Sequence, residues 1–285
     1  TPLRIGWASV DITPPQPAFI AGQFHGRLPE EPAEPLTVTA LVLDNGEGCA
    51  AFVSCDLAVV YAEVEPAARV RIAAAVPELN AGVVVVNGTH THTAPRGGRQ
   101  GGYLPPDIRE RLAPDVLDPA AYGDLVVARI VEAVTAAWRG RKPGTVAWGL
   151  DFAVVGRNRR WTDRDGKSTM YGNTAVPRFS HIEGYEDHSV NVLATYDPAG
   201  ALTGVVVNVP CPSQVIESEY RYSPDYWHQT RQALRRRFGD GLFVLPQCST
   251  AGDQSPHILY EKEAVRRMER LRGQTPRDAI AARLA

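Results

Sequence analysis

The chain has 285 residues, of which 44% are hydrophobic and 22% charged, and its formal net charge is −2. That length and composition can bury a full core, as one large domain or two small ones, and exclude a disordered tail. The balanced charge gives no strongly basic surface, so nucleic acid and acidic membranes are not expected partners.

The N-terminal third alternates strands and turns. Leu36 to Leu43 and Cys49 to Cys55 are β-rich runs separated by Asp44-Asn45-Gly46-Glu47-Gly48, whose residues supply the positive φ angles of a hairpin. A helix is predicted from about Glu63 to Ala75, ended by a proline. The apolar run Val83-Val84-Val85-Val86 is then a buried strand, and strand, helix, buried strand is the signature of an α/β layer. Pro95 to Pro119, rich in Gly, Arg and Pro, is long for a connection, and such loops are more often functional than idle. Ala120 to Trp138 predicts an amphipathic helix closed by Gly140 and Pro143. Strands follow at Thr145 to Val155, Ser189 to Tyr196 and Leu202 to Val209. A helix near Asp225 to Phe238, a short strand Leu242 to Leu245 and charged helix from about Tyr260 onward complete the chain.

Cys49, Cys55, Cys211 and Cys248 form no CxxC pair, which argues against a zinc ribbon or redox motif and predicts reduced, packed thiols. No segment approaches the ~18 apolar residues of a membrane helix, so no transmembrane segment is expected. The first residues lack the parts of a signal peptide. A soluble chain is expected, cytoplasmic in preference to secreted, although a leader removed ahead of Thr1 is compatible with it. Oligomeric state leaves no trace in the sequence.

The densest chemistry lies in Asn87-Gly88-Thr89-His90-Thr91-His92-Thr93-Ala94-Pro95. In an extended backbone positions i and i+2 point the same way, so both imidazoles are expected on one side of the strand end. Neutral imidazole ligates zinc and moves protons near neutral pH, but two histidines are too few to define a zinc site. Arg159 and the pair Asp253 and Ser255 occupy two further loops that follow strands, where open α/β sheets place their ligands. Each has a plainer explanation: Arg159 in a solvated run of arginines, Ser255 shaping a turn before Pro256, Asp253 capping a segment, and Asp56 binding backbone amides. His25, His181, His228 and His257 show no pattern.

Taken together, Gly6-Trp7-Ala8-Ser9-Val10-Asp11-Ile12-Thr13-Pro14, Val53-Ser54-Cys55-Asp56-Leu57, the Thr89–Pro95 segment, Asn158-Arg159 and Ala251-Gly252-Asp253-Gln254-Ser255-Pro256 resemble the neutral ceramidases and their bacterial relatives. The resemblance spans most of this chain and only the N-terminal part of a full family member. It implies an α/β fold, a mixed β-sheet layered with α-helices, forming a single catalytic domain over 1–285 that is incomplete at its C-terminal end. It also implies a zinc-dependent amidohydrolase cleaving an N-acyl bond of a small molecule or lipid, with the metal polarising the carbonyl and activating water. His90 falls on the first zinc ligand, His92 on a substrate-binding histidine, Arg159 on an active-site arginine suited to the tetrahedral intermediate, and Ser255 on a pocket serine with Asp253 two residues before it.

The chain departs from the family where the second zinc histidine belongs, since the stretch reads Asn208-Val209-Pro210-Cys211-Pro212-Ser213-Gln214. The remaining ligands are expected from a C-terminal portion that this chain does not reach, or from substitutes, which would be His92, His188, Cys211 or His228. Of these His188 is favoured because it ends a long polar loop just before a strand. The alternatives are a metal-free serine hydrolase using Ser255 with His92 or His257 as base, which lacks a G-x-S-x-G elbow, and a binding domain that kept only the pocket.

Overall fold

A computed structural model describes residues 2–31, 33–98 and 115–285. The first sheet has the order β4-β3-β2-β1-β5, with β1 Arg4–Asp11, β2 Thr37–Asp44, β3 Cys49–Cys55, β4 Val84–Gly88 and β5 Lys142–Pro143. All neighbours are antiparallel except β3 and β4, which run parallel. The parallel pair is joined through α1 (Val64–Ala75), as a crossover requires. The second sheet, β13-β12-β11-β6, contains β6 Thr145–Phe152, β11 Ser189–Tyr196, β12 Leu202–Val209 and β13 Phe243–Cys248, and again holds one parallel pair, β12 and β13. Between β6 and β11 lie β7 Arg157–Asn158, β8 Arg160–Asp163, β9 Ser168–Met170 and β10 Phe179–Ile182, and β7 pairs with the short β14 Gln254–Ser255.

Strand alternation decides the layers. Val38, Ala40 and Val42 of β2 and Ala51, Val53 and Cys55 of β3 are fully buried under α1 and α2 (Pro119–Gly140). Their out-of-phase neighbours Leu41 and Phe52 face the other way, onto Val206 and Leu245 of the second sheet. Trp7 stacks on Phe243 at 5.7 Å and donates from Nε1 to Thr195 Oγ1 at 2.9 Å, which stitches the two sheets together. The far face of the second sheet, Val205, Val207, Val209 and Val244, is covered by Tyr226, Trp227 and Leu234 of α3 (Tyr226–Phe238) and by Ile280 of α5 (Pro276–Leu284). The result is helices, sheet, sheet, helices. The inner strands of both sheets are covered on both faces, which is why β2, β3 and β12 read as near-continuous hydrophobic runs, whereas the edge strand β6 is exposed.

The expected α/β class, a mixed sheet layered with helices, is therefore observed. Strand Thr145 to Val155 ends earlier, at Phe152. The charged helix expected from Tyr260 onward is two helices, α4 (Lys262–Arg272) and α5. Gly273 ends α4 in the left-handed region at φ 62°, and Thr275 opens α5 with a capping box to Asp278 behind Pro276. Most of the long loop expected over Pro95 to Pro119 lies outside the described residues. No described helix is long and apolar enough to cross a membrane.

Candidate active site

The carboxyl ends of the two parallel pairs meet. β3 and β4 run side by side, so the turn after Cys55 lies against the turn after Gly88: Thr89 N donates to Cys55 O at 2.9 Å and His90 N to Leu57 O at 3.0 Å. The end of β12 closes on the same point, where Ser213 Oγ donates to Thr89 O at 2.9 Å and His92 N to Ser213 O at 3.3 Å.

The threonines explain the histidines. Thr89, Thr91 and Thr93 are all fully buried, and Thr91 and Thr93 donate from Oγ1 to Ser223 O, at 2.7 and 2.9 Å. The intervening His90 and His92 line a cavity of about 470 Å³. The rings meet as the sequence predicts, with Nε2 atoms 3.3 Å apart, but for a different reason. The strand ends at Gly88, and His90 is left-handed at φ 58° instead of extended. The turn is held from outside by Gly22, itself at φ 94°, where a Cβ would lie 2.4 Å from His92 Cγ.

Hydrogen-bond partners fix the tautomers. Ala58 O can only accept, so His90 Nδ1, 2.8 Å away, carries the proton, and Nε2 is left as a lone pair. Burial, then the neighbouring His92, lowers the His90 pKa, which keeps the ring neutral. Glu217 Oε2 lies 3.2 Å from His92 Nδ1, so that nitrogen also donates, while the Gln214 amide donates to His92 Nε2 at 2.8 Å. His92 is thus saturated and His90 keeps an open lone pair. Glu217 Oε1 accepts from His257 Nε2 at 3.0 Å. Burial pushes the Glu217 carboxyl up, but its hydrogen bonds from His257 and His92 outweigh burial and set it at about 2. Gln214 Oε1 is buried with no hydrogen-bond partner.

Arg159 lines the same cavity, opposite the histidines in sequence and beside them in space. Its backbone N donates to Asp253 O at 2.8 Å, its Nη2 donates to Gly252 O at 2.7 Å, and its Nη1 reaches Tyr171 Oη at 3.3 Å. The β7–β14 pairing brings this arginine in from 67 residues downstream of His92. Apolar Phe24, Val59 and Met170, all exposed, share the cavity with Tyr61.

Other predicted residues fall elsewhere. Ser255 is fully buried outside the cavity lining, and its Oγ accepts from His257 backbone N at 3.0 Å; among the described residues no hydrogen bond joins it to an imidazole ring. Asp253 accepts from the Asn158 amide at 3.2 Å and does not line the cavity. His188 faces Glu186 at 3.2 Å, Cys211 is buried with its thiol pushed up in pKa by burial, and His228 contacts Gln232 on α3; none lines the cavity. Asp56 pairs with Arg231 through two bonds of 2.8 and 3.0 Å, a buried structural ion pair.

His90 has the form of a metal ligand, with one nitrogen free and the other anchored on a carbonyl. Zinc asks for three such protein donors, and the described residues contain no group of three His, Cys, Asp or Glu placed to hold an ion. They do not by themselves complete the zinc site that the resemblance implies.

Glu217, Gln214, Tyr171 and Arg27 were not singled out by sequence as site residues. Arg27 is 1% exposed and donates to Ala21 O, His92 O, Glu217 O and Glu219 O at 2.6 to 2.8 Å, so one guanidinium ties three loops into one wall. No local motif announces such a residue, because its four acceptors are backbone atoms up to 192 positions away.

No protein-family model matches the chain, and no curated protein matches it in sequence. Solved structures do. Neutral ceramidase from Pseudomonas aeruginosa superposes with a TM-score of 0.69 at 18% identity, over 99% of this chain and 43% of that one. A ceramidase complexed with C2 gives 0.68, at the same identity and coverage. The chain therefore has the neutral ceramidase fold and spans less than half the length of those proteins.

Proposed function

We propose that the chain is an amide-bond hydrolase acting on an N-acyl small molecule or lipid, at the cavity of His90, His92 and Arg159. The observation that carries this is the convergence, in one apolar-rimmed cavity on a ceramidase fold, of a neutral imidazole with an open Nε2 and a guanidinium. Three of the residues the resemblance singles out thus lie together, from two separate loops. In this reading the substrate's hydrocarbon rests on Phe24, Val59 and Met170, and the amide lies between His90 and Arg159. Arg159 stabilises the negative charge of the tetrahedral intermediate. His92, held by Glu217 and Gln214, fixes the wall beside which the substrate amide rests. His90 Nε2 takes the proton of the attacking water, or ligates zinc if that ion is present as the resemblance implies.

The test is turnover of a panel of fluorogenic N-acyl amides of increasing chain length, with and without added zinc, beside elemental analysis of protein purified without added metal. Hydrolysis that falls about 10²–10⁴-fold in a folded His90→Ala variant supports the proposal. Failure of every N-acyl amide to turn over under both conditions would refute it. Near-stoichiometric zinc that disappears in His90→Ala assigns the metal to this residue.

A further inference from the structure

A second cavity, of about 370 Å³, lies behind the first, and Tyr171 lines both. The partition is Tyr171 packed edge-on against His257, with ring centroids 5.7 Å apart at 76°. The volume lies within the range of roughly 300–1,000 Å³ found for small-molecule sites.

Its lining has two characters. Val155, Val215, Leu259 and Ile280 make an apolar floor, while Arg157 of β7, Lys262 and Arg266 of α4 and Arg283 of α5 supply four cations against the single carboxylate of Glu269. Lys262 and Arg266 are four apart and so share one helix face. The neutralisation of this group is incomplete. Arg157 reaches Glu261 at 3.3 Å and Arg266 reaches Glu263 at 2.9 Å, both carboxylates half or more exposed and the pairs therefore weak. Lys262 and Arg283 have no ion-pair partner among the described residues. Arg283 is exposed on α5, with the like charge of Arg157 and the carboxylate of Glu269 both acting on it. Cations of like sign crowded around one cavity repel, and a bound anion relieves that repulsion.

We propose that this second cavity binds an amphiphilic anion, a carboxylate or phosphate head held by Arg283, Lys262 and Arg157 with a short hydrocarbon body on the apolar floor. Charge selects the head and the floor selects the tail, so neither inorganic phosphate nor a neutral alcohol satisfies the site alone. The site is independent of amide hydrolysis at the first cavity, and its test uses no turnover.

Isothermal titration of the full chain with octanoate, octyl phosphate, inorganic phosphate and octanol reads it directly. One equivalent of octanoate or octyl phosphate is expected to bind saturably, at least tenfold tighter than octanol or phosphate, and the tighter of the two names the head group. Arg283→Gln and Lys262→Gln should each weaken that anion at least tenfold, Glu269→Gln should tighten it, and Arg159→Gln, in the first cavity, should leave it within twofold. Octanol binding as well as octanoate, or loss of binding in Arg159→Gln but not in Arg283→Gln, would overturn the proposal. So would the absence of saturable binding by either amphiphile when circular dichroism shows the chain folded. Glu269→Gln keeps all four cations, so its effect stands even if a cation variant fails to fold.

Discussion

The two cavities on either side of Tyr171 are built on opposite plans. In the first, the histidines and the arginine are held before any ligand arrives: Ala58 holds His90, Gln214 and Glu217 hold His92, and Gly252 holds Arg159. Of the two imidazoles, His90 alone keeps an open lone pair, at Nε2. In the second, helices carry cations whose partners are exposed or missing. Strand ends tied by backbone hydrogen bonds fix geometry to fractions of an ångström, as bond-making chemistry requires. Helix faces place charge with less constraint, which suits binding.

That contrast predicts where each cavity breaks. The largest effect is expected at Arg27, which no helix face replaces. Arg27→Met removes the donor of four carbonyls, one in a buried contact and three in partly buried ones, and should cost about 1–3 kcal/mol or more of stability by chemical denaturation. A variant as stable as the parent would show that the wall does not depend on it. Next comes Gly22→Ala, which pushes a methyl into His92 and should lower amide hydrolysis about 100-fold, with the His92 ring resonances shifted in NMR spectra and the melting temperature affected far less. Glu217→Gln keeps the size of the side chain but loses the charge that aligns His92. It should reduce kcat about 10–100-fold, with little change in KM, and alter the protonation pattern of the ring seen by ¹⁵N chemical shifts.

The smallest effect is a pH slope at the hinge between the cavities. Asp225 accepts from Ile216 N at 2.9 Å and so pins the segment that carries Val215 into the second cavity and Glu217 into the first. Burial raises its carboxyl from 3.8 to about 6 against the pull of its backbone amides. The folded state therefore holds this proton more tightly than the unfolded chain does. The stability it contributes is complete below the unfolded value near 3.8 and is lost as pH rises through about 6. Denaturation midpoints between those pH values should fall less steeply in Asp225→Asn than in the parent.

Much of the frame was legible because periodicity reports burial. The helix expected over Ala120 to Trp138 is Pro119–Gly140, and that from about Glu63 to Ala75 is Val64–Ala75. The valine run before His90 gave away the strand delivering it. The stacking of two sheets was not legible, since a strand covered by a helix and one covered by a sheet are equally apolar: Leu41 and Val42 look alike in sequence and point into different layers. Within the site, His90, His92 and Arg159 lie together on one cavity, while Ser255, Asp253 and His188 lie off it. Short-range patterns could propose those six but not rank them, because what separates them is the pairing of β7 with β14 across nearly 100 residues. Glu217 had the weakest signal of all, one of two acids in Ile216-Glu217-Ser218-Glu219-Tyr220, with partners distant in sequence.

His90 closes the argument about design. An L-residue at φ 58° gives up about 1–2 kcal/mol relative to a right-handed backbone, a penalty glycine escapes. By that measure glycine is the thermally fitter residue at this point of the chain. A stability-guided engineering campaign would therefore erase the reactive imidazole among its first choices, and any heat-hardened version of this protein must gain its resilience at other positions.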